Sequence, residues 1–341
     1  MEKILVLTHT QDDGSLPRLA LEVVTAGLDL AKRLGGAPVS IGLVGLDVKA
    51  AADTLAGTGA ATFLAVTGDD FAVSRYATDA AAAAAIIGAA EATVVLAPAT
   101  ARLARVLPGV AQRVGGRVDT RVTGIRGEGA ELHVERWYYR QRMRAVMTRS
   151  QRPWIVVLES GAFAAWSGSA GSASLSPVAV AVTDAHRRSR VTGSQGASAD
   201  AQTIRPDADL LFVAGAGWTK KQADGQVHIA DAERLILGAL DKAKASLGSS
   251  KSLVDQSGEG GTVLSFMSHM NQVGQTGATP RHPKGLATCC HGEEPHVVGW
   301  RFVNQRRAVN LDPGCGWAQG KADVLYVADA FAVVEKLNEL L

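Results

Sequence analysis

The chain has 341 residues, 47% of them apolar and 20% charged, and a formal net charge of +2. That length exceeds one ordinary compact core and favours two domains, and that balance of apolar to charged residues excludes a disordered chain. The near-neutral charge argues against a nucleic-acid protein, and three cysteines, two of them adjacent, exclude a disulfide framework and point to a reducing compartment.

The first residues enter a strand pattern at once, which leaves no room for a leader. No apolar run approaches the roughly 20 residues of a bilayer span, so the expectation is a soluble, cytoplasmic protein. Strands are predicted over Ile4 to Thr8, Val39 to Val44, Thr62 to Val66 and Val94 to Leu96. Between and after them the apolar spacing predicts helices over Leu16 to Leu34 (stopped by Gly35-Gly36), Lys49 to Leu55, the alanine-dense Tyr76 to Glu91, and Leu103 to Val114. This alternation with short connections is the pattern of a parallel, doubly wound α/β sheet.

The character changes after Gly115. Arg117 to Ile125, Glu131 to Tyr139, Met143 to Met147 and Trp154 to Leu158 read as extended segments, closer to antiparallel β. Six arginines fall between Arg136 and Arg152, among Trp137, Tyr138 and Tyr139, and Arg140, Arg142 and Arg144 share one face of a strand. Such a strand suits single-stranded nucleic acid, but with this net charge a solvated hairpin face or a protein–protein surface is the favoured reading.

Ser160 to Ser176 reads as a loop and Val178 to Val182 as one more strand. The polar, basic stretch from Asp184 to Gln202 marks the domain junction. The expected division is an N-terminal α/β domain over 1–190, a linker over 191–205 and a second α/β domain over 206–341. In the second, Leu210 to Ala214 is a strand, Gly215-Ala216-Gly217 a turn and Ile229 to Leu247 a helix, and Val324 to Leu341 closes with a strand and an amphipathic helix.

Between these elements lie short polar or glycine-rich pieces: Gln272 to Gly277 (Gln-Val-Gly-Gln-Thr-Gly), Cys289 to His296, Val309 to Pro313 and Ala322-Asp323. Tight loops at strand ends, with backbone N–H groups free to meet phosphates, make a nucleotide-cofactor site. Taken singly the signals are weak. Gly215-Ala216-Gly217 is half of a dinucleotide fingerprint, with Lys220 where the third glycine would fall, and a simple tight turn explains it equally well. Cys289-Cys290-His291, with His296 and Cys315, lacks the spaced pairs of a zinc or cluster site, so no metal is expected and small buried side chains at a strand end are the default. There is no Gly-x-Ser-x-Gly elbow and no Walker motif.

Together, in this order, the pieces resemble the C-terminal FAD domain of electron transfer flavoprotein alpha subunits. The residues that carry the likeness are Gln272 to Gly277, the His-Gly…His segment, Asn-x-Asp-Pro, Ala-Asp and the closing Val-Ala-Asp-x-Phe (Val327 to Phe331). The first half is similar more loosely, through its opening strand and Leu96-Ala97-Pro98-Ala99-Thr100. The resemblance implies an N-terminal nucleotide-hydrolase-like domain and a C-terminal Rossmann-like domain that holds FAD. It implies a heterodimer with a beta subunit, a flavin-dependent dehydrogenase as electron donor and a membrane quinone reductase as acceptor. The chain would then be a carrier rather than a catalyst with its own substrate.

Carried over by position, Val273, Gly274, Gln275 and Thr276 lie beside the flavin ring and ribityl chain, with the Thr276 hydroxyl near N5. His291, Gly292, Glu293, Glu294, Pro295 and His296 wrap the pyrophosphate, His296 reaching the pyrimidine-ring carbonyl. Asn310, Asp323 and Val324 contact the adenosine end, and Ser250 and Lys251 belong to the segment matching the family's Ala-Ser-Arg. A flavin taking one electron gains negative charge at its N1/C2 carbonyl region, which Lys251 and His296 would stabilise.

The chain departs from the family in several places. Lys251 replaces an arginine, and Gly215-Ala216-Gly217-Trp218 replaces Gly-Arg-Gly. An insertion holds Gly258 to Gly261, and Glu293 and Glu294 bring negative charge toward the phosphates. A nucleotide-binding regulatory or structural module without redox function is therefore the competing reading. A hydrolase or ligase ranks last.

Overall fold

The computed structural model describes residues 2–128, 131–138, 143–193, 204–205, 208–256, 264–274, 279, 282–289, 303–313 and 322–341. The chain divides into two compact α/β units, Met1–Ser194 and Gln195–Leu341.

Among the described residues the first unit is built on a nine-stranded sheet in the order β7-β6-β5-β8-β4-β1-β2-β3-β9. Its strands are β1 Ile4–His9, β2 Val39–Gly45, β3 Thr62–Thr67, β4 Val94–Pro98, β5 Arg117–Glu128, β6 Glu131–Tyr138, β7 Met143–Met147, β8 Trp154–Leu158 and β9 Leu175–Pro177. Helices α1 Arg18–Arg33, α2 Lys49–Thr54, α3 Asp69–Ala72, α4 Tyr76–Ala89 and α5 Ala101–Arg113 connect them. Every residue of β1 is buried, as a central parallel strand covered on both faces requires. Even-numbered Ile4 and Val6 join the core under α1, and odd-numbered Leu5 and Leu7 join the core under α4 and α5. The alanines of α4 serve close packing: Ala80, Ala82 and Ala83 are buried against the sheet with Ile86 and Ile87. Thr100 caps α5, its hydroxyl accepting the Leu103 N–H at 3.3 Å.

Three expectations for this unit are corrected. Trp154–Leu158 is a central parallel strand between β4 and β5, whereas only β5-β6 and β6-β7 among its neighbours pair antiparallel. All five of its residues are buried, and that continuous apolar run is the mark of a strand covered on both faces. Val178 to Val182 is extended but not a ladder strand. The strand is Leu175–Pro177, paired parallel with β3, after which Val178, Val180 and Val182 pack half-buried on the core under α4 and α5. Asp184–Arg187 is a 3-10 turn held by Arg187 on Asp70 at 2.6 Å, so the start of the expected junction belongs to the first unit.

Among the described residues the second unit has a five-stranded parallel sheet in the order β11-β10-β12-β13-β14. The strands are β10 Leu210–Ala214, β11 Ser246–Ser249, β12 His282–Thr288, β13 Val303–Asn310 and β14 Val324–Val327. Helices α6 Ile229–Ala243, α7 Lys251–Asp255 and α8 Ala330–Leu340 accompany them. The predicted helix Ile229 to Leu247 is shorter than expected: Lys244 takes a left-handed φ of 49°, and Leu247 becomes a buried residue of β11. Gly215-Ala216-Gly217 leads into a 3-10 turn, Ala216–Thr219, rather than a bare reversal. No helix among the described residues is long and apolar enough to cross a membrane.

Candidate functional site

In the second sheet β10 is followed by β11 on one side, and the chain then returns to β12 on the other. The topological switch point, where α/β sheets commonly bind ligands, therefore lies between β10 and β12 at the carboxyl edge of the sheet. The residues that follow the strands along that edge are Ser250, Gly215, Cys289, Leu311 and Ala328. Ser250 and Asn310 stand three strand spacings apart, roughly 14 Å, a span suited to a ligand laid across the edge.

At the β12-to-β14 end of this edge is a cavity of about 350 Å³, lined among others by Gly217, Lys220, Lys221, Cys289, Asn310 and Asp329. Its wall is anchored by Trp218, which is fully buried. The Trp218 indole N–H donates to Thr288 Oγ1 at 2.9 Å, and its ring lies 4.5 Å from that of Phe331 on α8. Gly215 and Gly217 donate their N–H groups to the carbonyls of Thr288 and Cys289 at 2.8 and 3.0 Å, folding the turn over the end of β12. Gln222 Nε2 then donates to the carbonyls of Gly217 and Lys220 at 3.0 and 2.7 Å, which holds the lysine-bearing loop in place. Opposite it, Asp329 caps α8 by accepting the Phe331 N–H at 3.0 Å. Buried Asn310 accepts the Asp312 N–H at 3.3 Å. Burial, with the Asp329 charge behind it, pushes the Cys289 thiol up to about 12, so it stays protonated and is no nucleophile at neutral pH.

At the other end of the edge, buried Ser250 caps α7 by accepting the Leu253 N–H at 3.0 Å. Lys251 extends outward, its ammonium 3.5 Å from Asp255, and Asp255 also accepts from His269 Nε2 at 2.9 Å. Val273 is buried, and its N–H donates to the Ser249 carbonyl at 3.1 Å. This contact is possible because residue 248 is glycine: a Cβ there would stand 2.5 Å from Val273 Cγ2. Gly274 takes φ 80° and donates its N–H to Thr279 Oγ1 at 2.7 Å.

Of the expected site residues, Ser250, Lys251, Val273 and Gly274 come together beside β11, and Asn310 lines the cavity. Asp323 and Val324 do not reach it. They stand at the amino end of β14, where Asp323 accepts from Arg306 Nη2 at 2.8 Å and from its backbone N–H at 2.7 Å. Those bonds hold the Asp323 carboxyl below its usual value. From Asp323 to the carboxyl end of the strand is roughly 13 Å. The cavity is lined instead by Asp329 and Ala330, the Asp-x of the closing Val-Ala-Asp-x-Phe. Gln275, Thr276, His291, Gly292, Glu293, Glu294, Pro295 and His296 lie outside the described residues, as do Arg140 and Arg142.

The basic strand of the first unit is largely engaged internally. Buried Asp119 accepts from Arg136 at 3.1 Å, from Arg149 Nη2 at 2.9 Å and from the Trp154 indole at 2.9 Å. Arg144 reaches Glu135 at 3.3 Å and Arg152 pairs with Glu2 at 2.5 Å. Among the described residues these cations tie β5, β6, β7 and the loop before β8 together, which favours a hairpin face over a nucleic-acid site.

The electron transfer flavoprotein domain matches residues 4–185, more than half of the chain and nearly all of the first unit. The chain belongs to the electron transfer flavoprotein family. A comparison with curated proteins finds no match. Within the family, the matched span covers the unit whose sheet and ion pairs were just described, while the cavity lies in the other.

Proposed function

We propose that the chain is the alpha-type, FAD-binding subunit of an electron transfer flavoprotein, a cytoplasmic carrier with no substrate chemistry of its own. Family membership supports the electron-transfer class. The observation that carries the cofactor reading is the cavity at the carboxyl edge of a parallel sheet, walled by a glycine turn, Asn310 and the Asp329 cap of α8. Its volume is that of a small-ligand pocket, and its mix of backbone, amide and charged groups fits a nucleotide.

In this reading FAD, when bound, supplies one-electron uptake and release. Asn310, Asp329 and Ala330 hold the adenosine end, in place of Asp323 and Val324. Ser250, Lys251, Val273 and Gly274, with Gln275 and Thr276, line the flavin end. The segment from His291 to His296 spans the phosphates between them. Lys251, oriented by Asp255 four residues on, and His296 offset negative charge at the ring's carbonyl edge. A beta subunit completes the heterodimer, with a flavin-dependent dehydrogenase as donor and a membrane quinone reductase as acceptor.

The test is an absorption spectrum of the chain co-purified with a beta partner, before and after anaerobic dithionite. Flavin bands that bleach and return with air are expected. Bound adenine nucleotide without flavin would favour the nucleotide-binding module, a reading supported by Ala216 and Lys251 standing where the family carries arginines.

A further inference from the structure

The chain lacks the arginine that the resembled family places between two glycines after the first strand of this unit; Ala216 stands there instead. The structure shows that this position cannot carry a cation. Ala216 is only 2% exposed, in the 3-10 turn locked by the Gly215 and Gly217 N–H bonds and by Trp218 beneath. A guanidinium at residue 216 would have to be buried without a partner, at high cost.

Two ammonium groups do face the cavity, a few residues later. Lys220 and Lys221 are exposed and both line it. Among the described residues neither has a carboxylate partner. The loop that carries them is not slack. Besides the Gln222 side-chain bonds, the Gln222 N–H donates to the Gln226 carbonyl at 2.8 Å and the Gly225 N–H donates to the Gln222 carbonyl at 2.9 Å. A well-tied loop that presents two cations without carboxylate partners to a cavity is suited to an anionic group, and across the cavity the Asp329 carboxylate is already engaged as the cap of α8.

We infer that Lys220 and Lys221 bind the phosphates of the nucleotide cofactor in this chain, taking over the charge that Ala216 cannot carry. The inference rests on the nucleotide reading of the cavity given above. Lysine ammoniums act as point charges rather than planar forks, so the contact would be strongly salt-dependent.

The experiment is calorimetric titration of the full chain, prepared free of nucleotide, with FAD, ADP and adenosine. It compares the native protein with Lys220→Gln/Lys221→Gln at low and at physiological salt. Both side chains are exposed, so the variant is expected to fold, which near-ultraviolet circular dichroism checks. The expected result is a loss of roughly 10- to 100-fold in affinity for FAD and ADP, a shallower salt dependence, and unchanged adenosine binding. Equal FAD and ADP affinities in the two proteins would overturn the lysine assignment and leave the flavin reading standing. If the native chain binds ADP but not FAD, with the same loss in the variant, the lysine assignment holds and the flavin reading falls. An equal loss for adenosine would overturn the phosphate role, because the lysines would then be shaping the pocket. No binding of any ligand by the native chain would overturn both.

Discussion

Gly248→Ala tests how the Gln272–Gly274 segment is held against β11. The added Cβ would stand 2.5 Å from Val273 Cγ2, 3.2 Å from Leu211 Cδ1 and 3.5 Å from Val213 Cγ2. Val273 has little room to retreat. It is 3% exposed, β-branched, and tied to the Ser249 carbonyl by its own N–H at 3.1 Å. The strain must therefore be relieved by lifting the segment off β11, and overpacking of this kind costs about 1 to 3 kcal/mol. Urea unfolding of the full chain would show it as a lower midpoint. Hydrogen exchange would place it at the Val273 amide, and the flavin content of the purified complex should fall. Val273→Ala alone removes two buried methyls and costs about 1 to 2 kcal/mol. In the double variant the new Cβ fills the space those methyls leave, so the two losses should fall short of additive by at least about 1 kcal/mol. An additive cycle, or a Gly248→Ala protein with unchanged Val273 exchange, would refute the proposed contact.

Two further outcomes follow from buried groups. Burial alone would raise the Asp119 carboxyl, but the donors from Arg149, Trp154 and Arg136 outweigh it and hold the group below its ordinary value of 3.8. Its stabilisation is therefore full above about pH 4 to 5 and is lost as pH falls through the lower folded value. Asp119→Asn should lower stability at pH 7 by about 3 kcal/mol, since two arginines lose their shared carboxylate, and should flatten the acid limb of a urea-midpoint profile. An unchanged midpoint at pH 7 would contradict this. Cys289, with its thiol near 12, has a thiolate fraction of about one in ten thousand at pH 8. It lines the cavity and is only partly buried, so it should react with a thiol reagent far more slowly than a cysteine of the unfolded chain at the same pH, and equal native and unfolded rates in peptide mapping would disprove the raised thiol value.

Much of the fold is legible because the signals are local. The alternation from Ile4 to Arg113 rests on helical runs, one of them simply alanine-dense, separated by continuous apolar strands, and each predicted element appears within a few residues of its expected place, while the short helix Asp69–Ala72 was not foreseen. One strand was expected in place but in the wrong class, and another was hidden. Trp154–Leu158 follows an antiparallel hairpin in sequence, so its neighbours suggested the wrong class, although its five uninterrupted apolar residues marked it as a parallel core strand. Ser246–Ser249 is short and polar but for Leu247, and follows α6 after only two residues, so helical spacing absorbed it. The site was legible as a set of motifs but not in every residue. Two Asp residues flank β14, Asp323 before it and Asp329 after it, and the sequence likeness pointed to Asp323. The direction of the strand favours Asp329: ligands gather at the carboxyl ends of parallel strands, which Asp329 follows and Asp323 precedes.

The same rule places a second crevice in the first unit, because β1 leads to β2 on one side and is flanked by β4 on the other. Apart from Thr8 Oγ1, which is buried without a hydrogen-bond partner among the described residues, the polar groups at the end of β1 are engaged with one another. His9, at the end of β1, contacts the Thr10 carbonyl at 3.0 Å through Nδ1 and Thr100 Oγ1 at 2.9 Å through Nε2. Burial lowers its pKa, aided by the Arg102 charge, so the imidazole is neutral at pH 7. Arg102 in turn is buried against Asp79 at 2.7 Å and the Phe71 carbonyl at 2.6 Å. A phosphate entering there would have to break a buried ion pair, whose loss costs about 3 to 5 kcal/mol. At the second unit's edge the lysines are exposed and without a carboxylate partner among the described residues, so an anion meeting them breaks no ion pair described there. Two sheets with the same topological opening thus differ in what occupies it. The difference in pairing, more than the glycine pattern, is the physical reason to propose nucleotide binding in the second unit.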